Sequence, residues 1–162
     1  MCGIFAIAFI SSGIYLGNQH LNRYNKSQEL PEQMIALNNE YLSFAQIDIE
    51  EHDISLTQEK DGISVEAQVR GKAKSDSKEF VFNLNPGLNV TAVEATGHPL
   101  KYERKTQLLL VQFDTIIQKD SFINLKVNYA GTIDEDAMFI DIDQKLKFER
   151  EPDQDLFDIG KD

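Results

Sequence analysis

The spacing of apolar positions changes character along this chain. Met1–Gly17, MCGIFAIAFISSGIYLG, holds no charged residue at all. Further on, Leu30, Met34, Leu37, Tyr41 and Phe44 recur at spacings of four, three, four and three, one stripe along a helix. After Ala45 the period drops to two. Phe80, Phe82 and Leu84 alternate with Glu79, Val81 and Asn83, which predicts a half-buried strand. Asn85-Pro86-Gly87 stops it, since proline gives no donor to a ladder and glycine accepts a tight turn. Leu88, Val90 and Val93 then resume the apolar pattern, so this stretch reads strand, turn, strand.

The segments around it follow the same rule. Ile47 and Ile49 fall on odd positions, Ile54 and Leu56 on even ones, so a bulge or bend is expected near Glu50-Glu51. Asp61-Gly62 is a turn signal. Ile63, Val65, Ala67 and Val69 alternate with polar residues, one dry face and one wet, as in an antiparallel sheet. Residues 71–78 read as a polar loop. Gly97-His98-Pro99 leads into a strand over 100–103, and Arg104-Lys105-Thr106 turns into one over 107–113. Leu108 through Val111 is apolar on both parities, which marks a central strand. Phe122–Ala130 alternates until Gly131, and Met138–Ile142 is a last strand. About eight short strands with no helix between them predict a mostly β, antiparallel β-sandwich over 46–145.

Helical segments precede it. Seventeen helical residues span roughly 25 Å, a little under a roughly 30 Å hydrocarbon core. We read 1–17 as part of a membrane helix; a buried helix of a soluble domain is the competing reading. No cation precedes the run, unlike a signal peptide. Arg23 and Lys26 follow it, and a positive-inside count alone would put that side in the cytoplasm. Residues 18–45 form a helical connector, with Pro31 expected near a first turn. The stripe on it is core-like. The end, 146–162, is acidic and irregular and has no closing element, as in a truncated chain.

Charge narrows the function classes. The net charge is −11, and from Asp134 onward eleven acids face four bases. No basic patch for nucleic acid is present. Ten Phe and five Tyr suit strands. Cys2 is the one cysteine, so no intrachain disulfide forms. His20, His52 and His98 have neither zinc spacing nor a His-Glu-x-x-His pattern. Asp141/Asp143 and Asp153/Asp155 lack the glycine and terminal Glu of a calcium loop. Glu50/Glu51 and Asp134/Glu135 read as surface acids, because adjacent strand residues face opposite sides. Nucleophile elbows and phosphate loops are absent from the sequence. No catalytic, cofactor-binding or metal residue is nominated.

Several stretches in order resemble one bacterial family. They are IYLGNQHLNRY, ALNNEY, FNLNPGLNVTAVEATGHPLKYERKTQLLLVQF and LKVNYAGTIDEDAMFIDI, covering roughly residues 14–160. The family joins ABC-2-type transporter permease helices to a peptidase-M1-like, aminopeptidase-N-like extracytoplasmic region. The Leu84–Val90 turn and Tyr129-x-Gly131-x-Ile133 carry most of the likeness, and the second resembles the end of the N-terminal β domain of M1 aminopeptidases. The family's zinc site lies on a later helical domain that this sequence does not reach. The resemblance implies a membrane-anchored, extracytoplasmic, non-catalytic β module beside a peptidase-like domain of the same parent. It places any zinc in that other part. The alternative is a self-contained, membrane-anchored ligand- or carbohydrate-binding sandwich. That reading needs exposed aromatics, and Tyr102 and Phe113 read equally well as core residues.

Overall fold

The computed structural model describes residues 2–137, without the side chains of 2–17, His20 and Arg23. The expected last strand at 138–142, the acidic tail and the paired aspartates after Asp136 lie outside the described residues. The element order is one helix followed by eight strands. Helix α1 runs Cys2–Glu40, then come β1 (Ile47–Glu59), β2 (Gly62–Ala73), β3 (Ser77–Asn83) and β4 (Leu88–Ala95). The short β5 (His98–Pro99), β6 (Lys101–Lys105), β7 (Leu108–Ile117) and β8 (Phe122–Gly131) complete it.

Helix α1 is one unbroken element of 39 residues, roughly 60 Å long at 1.5 Å per residue. Two expectations change here. Pro31 sits in the helix interior and not in a first turn, although its missing N–H and its ring make that position costly by about 3 kcal/mol. The helix also stops at Glu40, so Tyr41 and Phe44 fall in a turn closed by Phe44 N–H donating to the Tyr41 carbonyl at 3.0 Å. The stripe still packs. Met34 and Ile35 cluster with Leu30 and Ala137, and Tyr41 packs with Leu37, Phe44, Val81 and Leu108. The described side chains from Asn18 to Lys26 are exposed, so that part of the helix is an arm standing off the sheets. Among the described residues no helix is long and apolar enough to cross a membrane; the side chains of the apolar run 1–17 lie outside that description.

The strands form a five-stranded sheet, β1-β2-β8-β4-β5, and a three-stranded sheet, β3-β7-β6. Every ladder is antiparallel. One isolated parallel bridge joins Ala45 to Phe80 and extends the smaller sheet toward the helix. The main apolar cluster draws Phe80, Leu109, Val111 and Phe113 from the smaller sheet and Val93, Ile123, Leu125 and Val127 from the larger one. Phe80 and Phe113 meet edge to face, centroids 5.7 Å apart. On the far side of the smaller sheet, Val81, Leu108 and Leu110 meet the end of the helix. That explains why Val81 is buried against its period of two: β3 has an apolar neighbour on both faces. β7 is likewise covered on both faces, as its double-parity run predicts.

The expected bulge is present. The β1–β2 register shifts between Ile49 and Glu51. Ile47 and Ile49 pair with Ala73 and Gly71, while Ile54 and Leu56 pair with Ala67 and Val65. Residues paired across a ladder share a face, so the extra residue keeps all four side chains on the core-facing side. The polar loop expected over 71–78 is shorter, because β2 continues to Ala73, which is fully buried. The strand-turn-strand at 80–93 is not a hairpin: β3 pairs with β7 and β4 with β8. The Asn85-Pro86-Gly87 turn therefore carries the chain from one sheet to the other.

Candidate functional site

That crossing point is the most densely bonded polar locus among the described residues. Asn85 Oδ1 accepts from Gly87 N at 3.0 Å and from Asp134 N at 2.8 Å. Its Nδ2 donates to the Asp134 carbonyl at 3.0 Å. One amide thus closes its own turn and grips a segment 49 residues away. Asp134 returns the grip to the helix, through Lys26 Nζ at 3.2 Å from its carboxylate. Arg104 Nη2 donates to the carbonyls of Leu84 and Asn85, both at 2.8 Å. Burial pushes the Arg104 guanidinium down to about 10, which leaves it charged at neutral pH. Its Nε and Nη1 are buried without a hydrogen-bond partner among the described residues. Gly87 is required by space: a β-carbon there would overlap the Thr132 carbonyl oxygen. Gly131, at φ +147, would clash in turn with the Gly87 carbonyl. The two motifs that stand out in the sequence, Leu84–Val90 and Tyr129-x-Gly131-x-Ile133, are therefore in contact.

Two further polar anchors hold the helix. Buried Gln107 donates from Nε2 to the Met34 carbonyl at 2.7 Å. Lys105 donates to the Tyr41 hydroxyl, lies 5.0 Å from that ring's centroid, and has Glu103 at 3.7 Å. The hydrogen bond to Tyr41 raises its pKa, so Lys105 stays protonated and cannot act as a base near neutral pH. These contacts fix position.

The outer face of the larger sheet carries ion pairs. Arg70 pairs with Glu51 at 3.0 Å, Lys72 with Glu50 at 2.8 Å and Lys126 with Glu66 at 2.6 Å. Arg70 and Lys72 both stand over the Phe122 ring. The expectation that Glu50 and Glu51 face opposite ways is corrected here: the bulge brings both to cations of one face. Each carboxylate is matched by its own cation, which is unlike an acid–base dyad sharing a proton. An open depression of about 320 Å³ lies among Glu51, Asp53, Arg70, Glu94 and Lys126. Asp134 is the latch described above, and Glu135 is exposed. Tyr102 is exposed with its hydroxyl on the Val90 carbonyl at 3.2 Å, and Phe113 is core.

Metal ligation finds no assembly. His52 and His98 are exposed on β1 and β5. Among the described residues no three His, Cys, Asp or Glu side chains come together as a metal would need. The side chains of Cys2 and His20 lie outside the described residues. Sequence reasoning missed the Asn85–Asp134–Lys26 relay; the dense turn signal at 85–87 was its one visible trace.

No protein-family model matches the chain, and no curated protein does. Solved structures do. An M1 zinc metallopeptidase from Deinococcus radiodurans is 21% identical, over 53% of this chain and 20% of its own, with a TM-score of 0.49. A two-domain M1 zinc metallopeptidase mutant bound to L-arginine is 22% identical, over 56% of this chain and 22% of its own, with a TM-score of 0.50. The second likeness is one of fold. The chain spans about a fifth of the length of these structures.

Proposed function

We propose that this chain is a non-catalytic β-sandwich module of a membrane protein, standing beside a peptidase-like domain of the same parent and helping to wall its cleft. The observation that carries the reading is the course of α1. It leaves an uncharged apolar run, projects as a bare arm, and is then pinned to the sheets through Met34, Tyr41 and Lys26. Such an arm is suited to holding a β domain at a distance from a bilayer. The order of the sequence stretches supports an ABC-2 permease/M1-like parent, and the M1-like fold supports the role of accessory domain. The reading puts the β domain outside the cytoplasm and assigns any zinc and hydrolysis to the parent's other domain.

Flotation with lipid vesicles tests the anchor. The full chain floats, and Ile7→Arg, which places a charge mid-run, shifts it to the pellet fractions. A chain that stays in the soluble fraction without detergent overturns the tether. Sidedness is read by labelling Ser75→Cys, in an exposed loop, with a membrane-impermeant maleimide on intact cells. Protection from the reagent overturns the extracytoplasmic assignment. Zinc-dependent cleavage of an aminoacyl-anilide by the purified chain overturns the non-catalytic one.

A further inference from the structure

The five-stranded sheet ends on a strand that, beyond Ile47, no described residue covers. β1 is 13 residues long, and beyond Ile47 every residue in it is exposed. Among the described residues its ladder is with β2 alone. No other backbone hydrogen bond reaches it among the described residues, so its outward row of N–H and C=O groups stands open. On its core-facing side Ile49, Ile54 and Leu56 are 49%, 53% and 58% exposed. They continue the sheet's dry face past the point where the smaller sheet stops covering it. At the hairpin end this strip runs into an open depression of about 410 Å³ where Leu56 and Ile63 meet Ile133.

Edges are commonly protected by charge, a bulge or a covering element. β1 has the bulge and five acids, Asp48, Glu50, Glu51, Asp53 and Glu59, but no lysine, arginine or proline. Glu50 and Glu51 are matched by Lys72 and Arg70. Asp48 lies opposite Lys72 across the ladder and adds to the field on it, whereas no ion pair is seen for Asp53 and Glu59 among the described residues. This pattern decides the occupant. A second copy pairing β1 to β1 would set acids against acids, which is destabilising across a ladder. An added strand whose wet face is basic and whose dry face is aliphatic matches both sides at once.

We propose that the free edge of β1 is a docking rail for an extended segment of alternating aliphatic and Lys/Arg residues, taken up by strand addition. Main-chain bonds along the edge supply affinity, and the Ile49–Ile54–Leu56 strip with the unmatched acids supplies selectivity. The inference does not depend on the membrane or peptidase reading.

The probe is a capped octapeptide of alternating Val and Lys, titrated into the full chain by fluorescence anisotropy, with hydrogen exchange of the β1 amides as a second readout. Binding is expected, with slowed exchange confined to β1, and alternating Val-Glu is not bound. Ile54→Lys weakens binding by about tenfold or more, with no change in melting temperature because Ile54 is exposed. The same peptide N-methylated at alternate residues keeps every side chain but cannot extend a ladder, and it does not bind. Failure of the Val-Lys peptide to bind overturns the proposal. So do equal binding by the N-methylated peptide and a dimer of the full chain that Ile54→Lys dissolves.

Discussion

β7 and β1 are both rich in aliphatic residues, yet they end in opposite environments. Leu108 and Val111 in β7 are 0% exposed, whereas Ile54 and Leu56 in β1 stand half in water. The side chains hardly differ; the neighbours do. β7 is the middle strand of its sheet, with the main cluster on one face and the end of α1 on the other. Among the described residues β1 is an edge with one ladder, and beyond Ile47 its residues are exposed. Alternation fixes which way a side chain points, and position in the sheet fixes whether anything meets it.

The comparison breaks hardest at the strand packed against β7. Phe80→Ala removes a fully buried ring from the main cluster and should cost about 3–5 kcal/mol in denaturant unfolding. Leu56→Ala in β1 should cost within about 0.5 kcal/mol by the same measurement. Equal losses would mean that β1 is covered in solution. Next comes the crossing turn. Gly87→Ala drives a methyl into the Thr132 carbonyl and should cost about 1–3 kcal/mol, with faster amide exchange at Asp134. Gln107→Ala then removes the side-chain donor that ties the start of β7 to the Met34 carbonyl and leaves a cavity at a buried site. The expected loss is about 1–3 kcal/mol, and amide exchange in the last turns of α1 should accelerate while that of β1 does not.

Smaller effects come from titration and from the wet face. Burial raises the Tyr129 pKa. The folded protein therefore holds a proton that the unfolded chain releases above about 10, and stability falls as pH rises through that region. Tyr129→Phe should flatten this alkaline decline in thermal melts and leave stability at neutral pH nearly unchanged. Lys126→Ala removes the ion pair to Glu66, but both groups are in solvent, so no resolvable change in melting temperature is expected.

What could be read from the residues was local. The parity switch between Ile49 and Ile54 located the bulge, and the unbroken Leu108–Val111 run marked the strand covered on both faces. Non-local partners stayed hidden. Nothing near Asn85 announces that its amide holds Asp134, or that β3 and β4 leave the same turn for different sheets. Pro31 argued for a helix start, yet the helix runs through it and packs at Met34 and Ile35 beyond. Packing outweighed local preference there. The candidate relay was invisible for the same reason: its members come from α1, the crossing turn and the segment that follows β8.

β8 lies between β2 and β4 in the larger sheet, although it is the last described strand to be made. On the ribosome the order of synthesis therefore runs against the order of assembly. Until residues 122–131 emerge, β2 and β4 each lack an inner neighbour, and the larger sheet cannot be finished, although all three strands of the smaller one are already made. Such distant pairings are slow to form. A nascent chain halted before Phe122 would present two unfilled strand edges to whatever surrounds it.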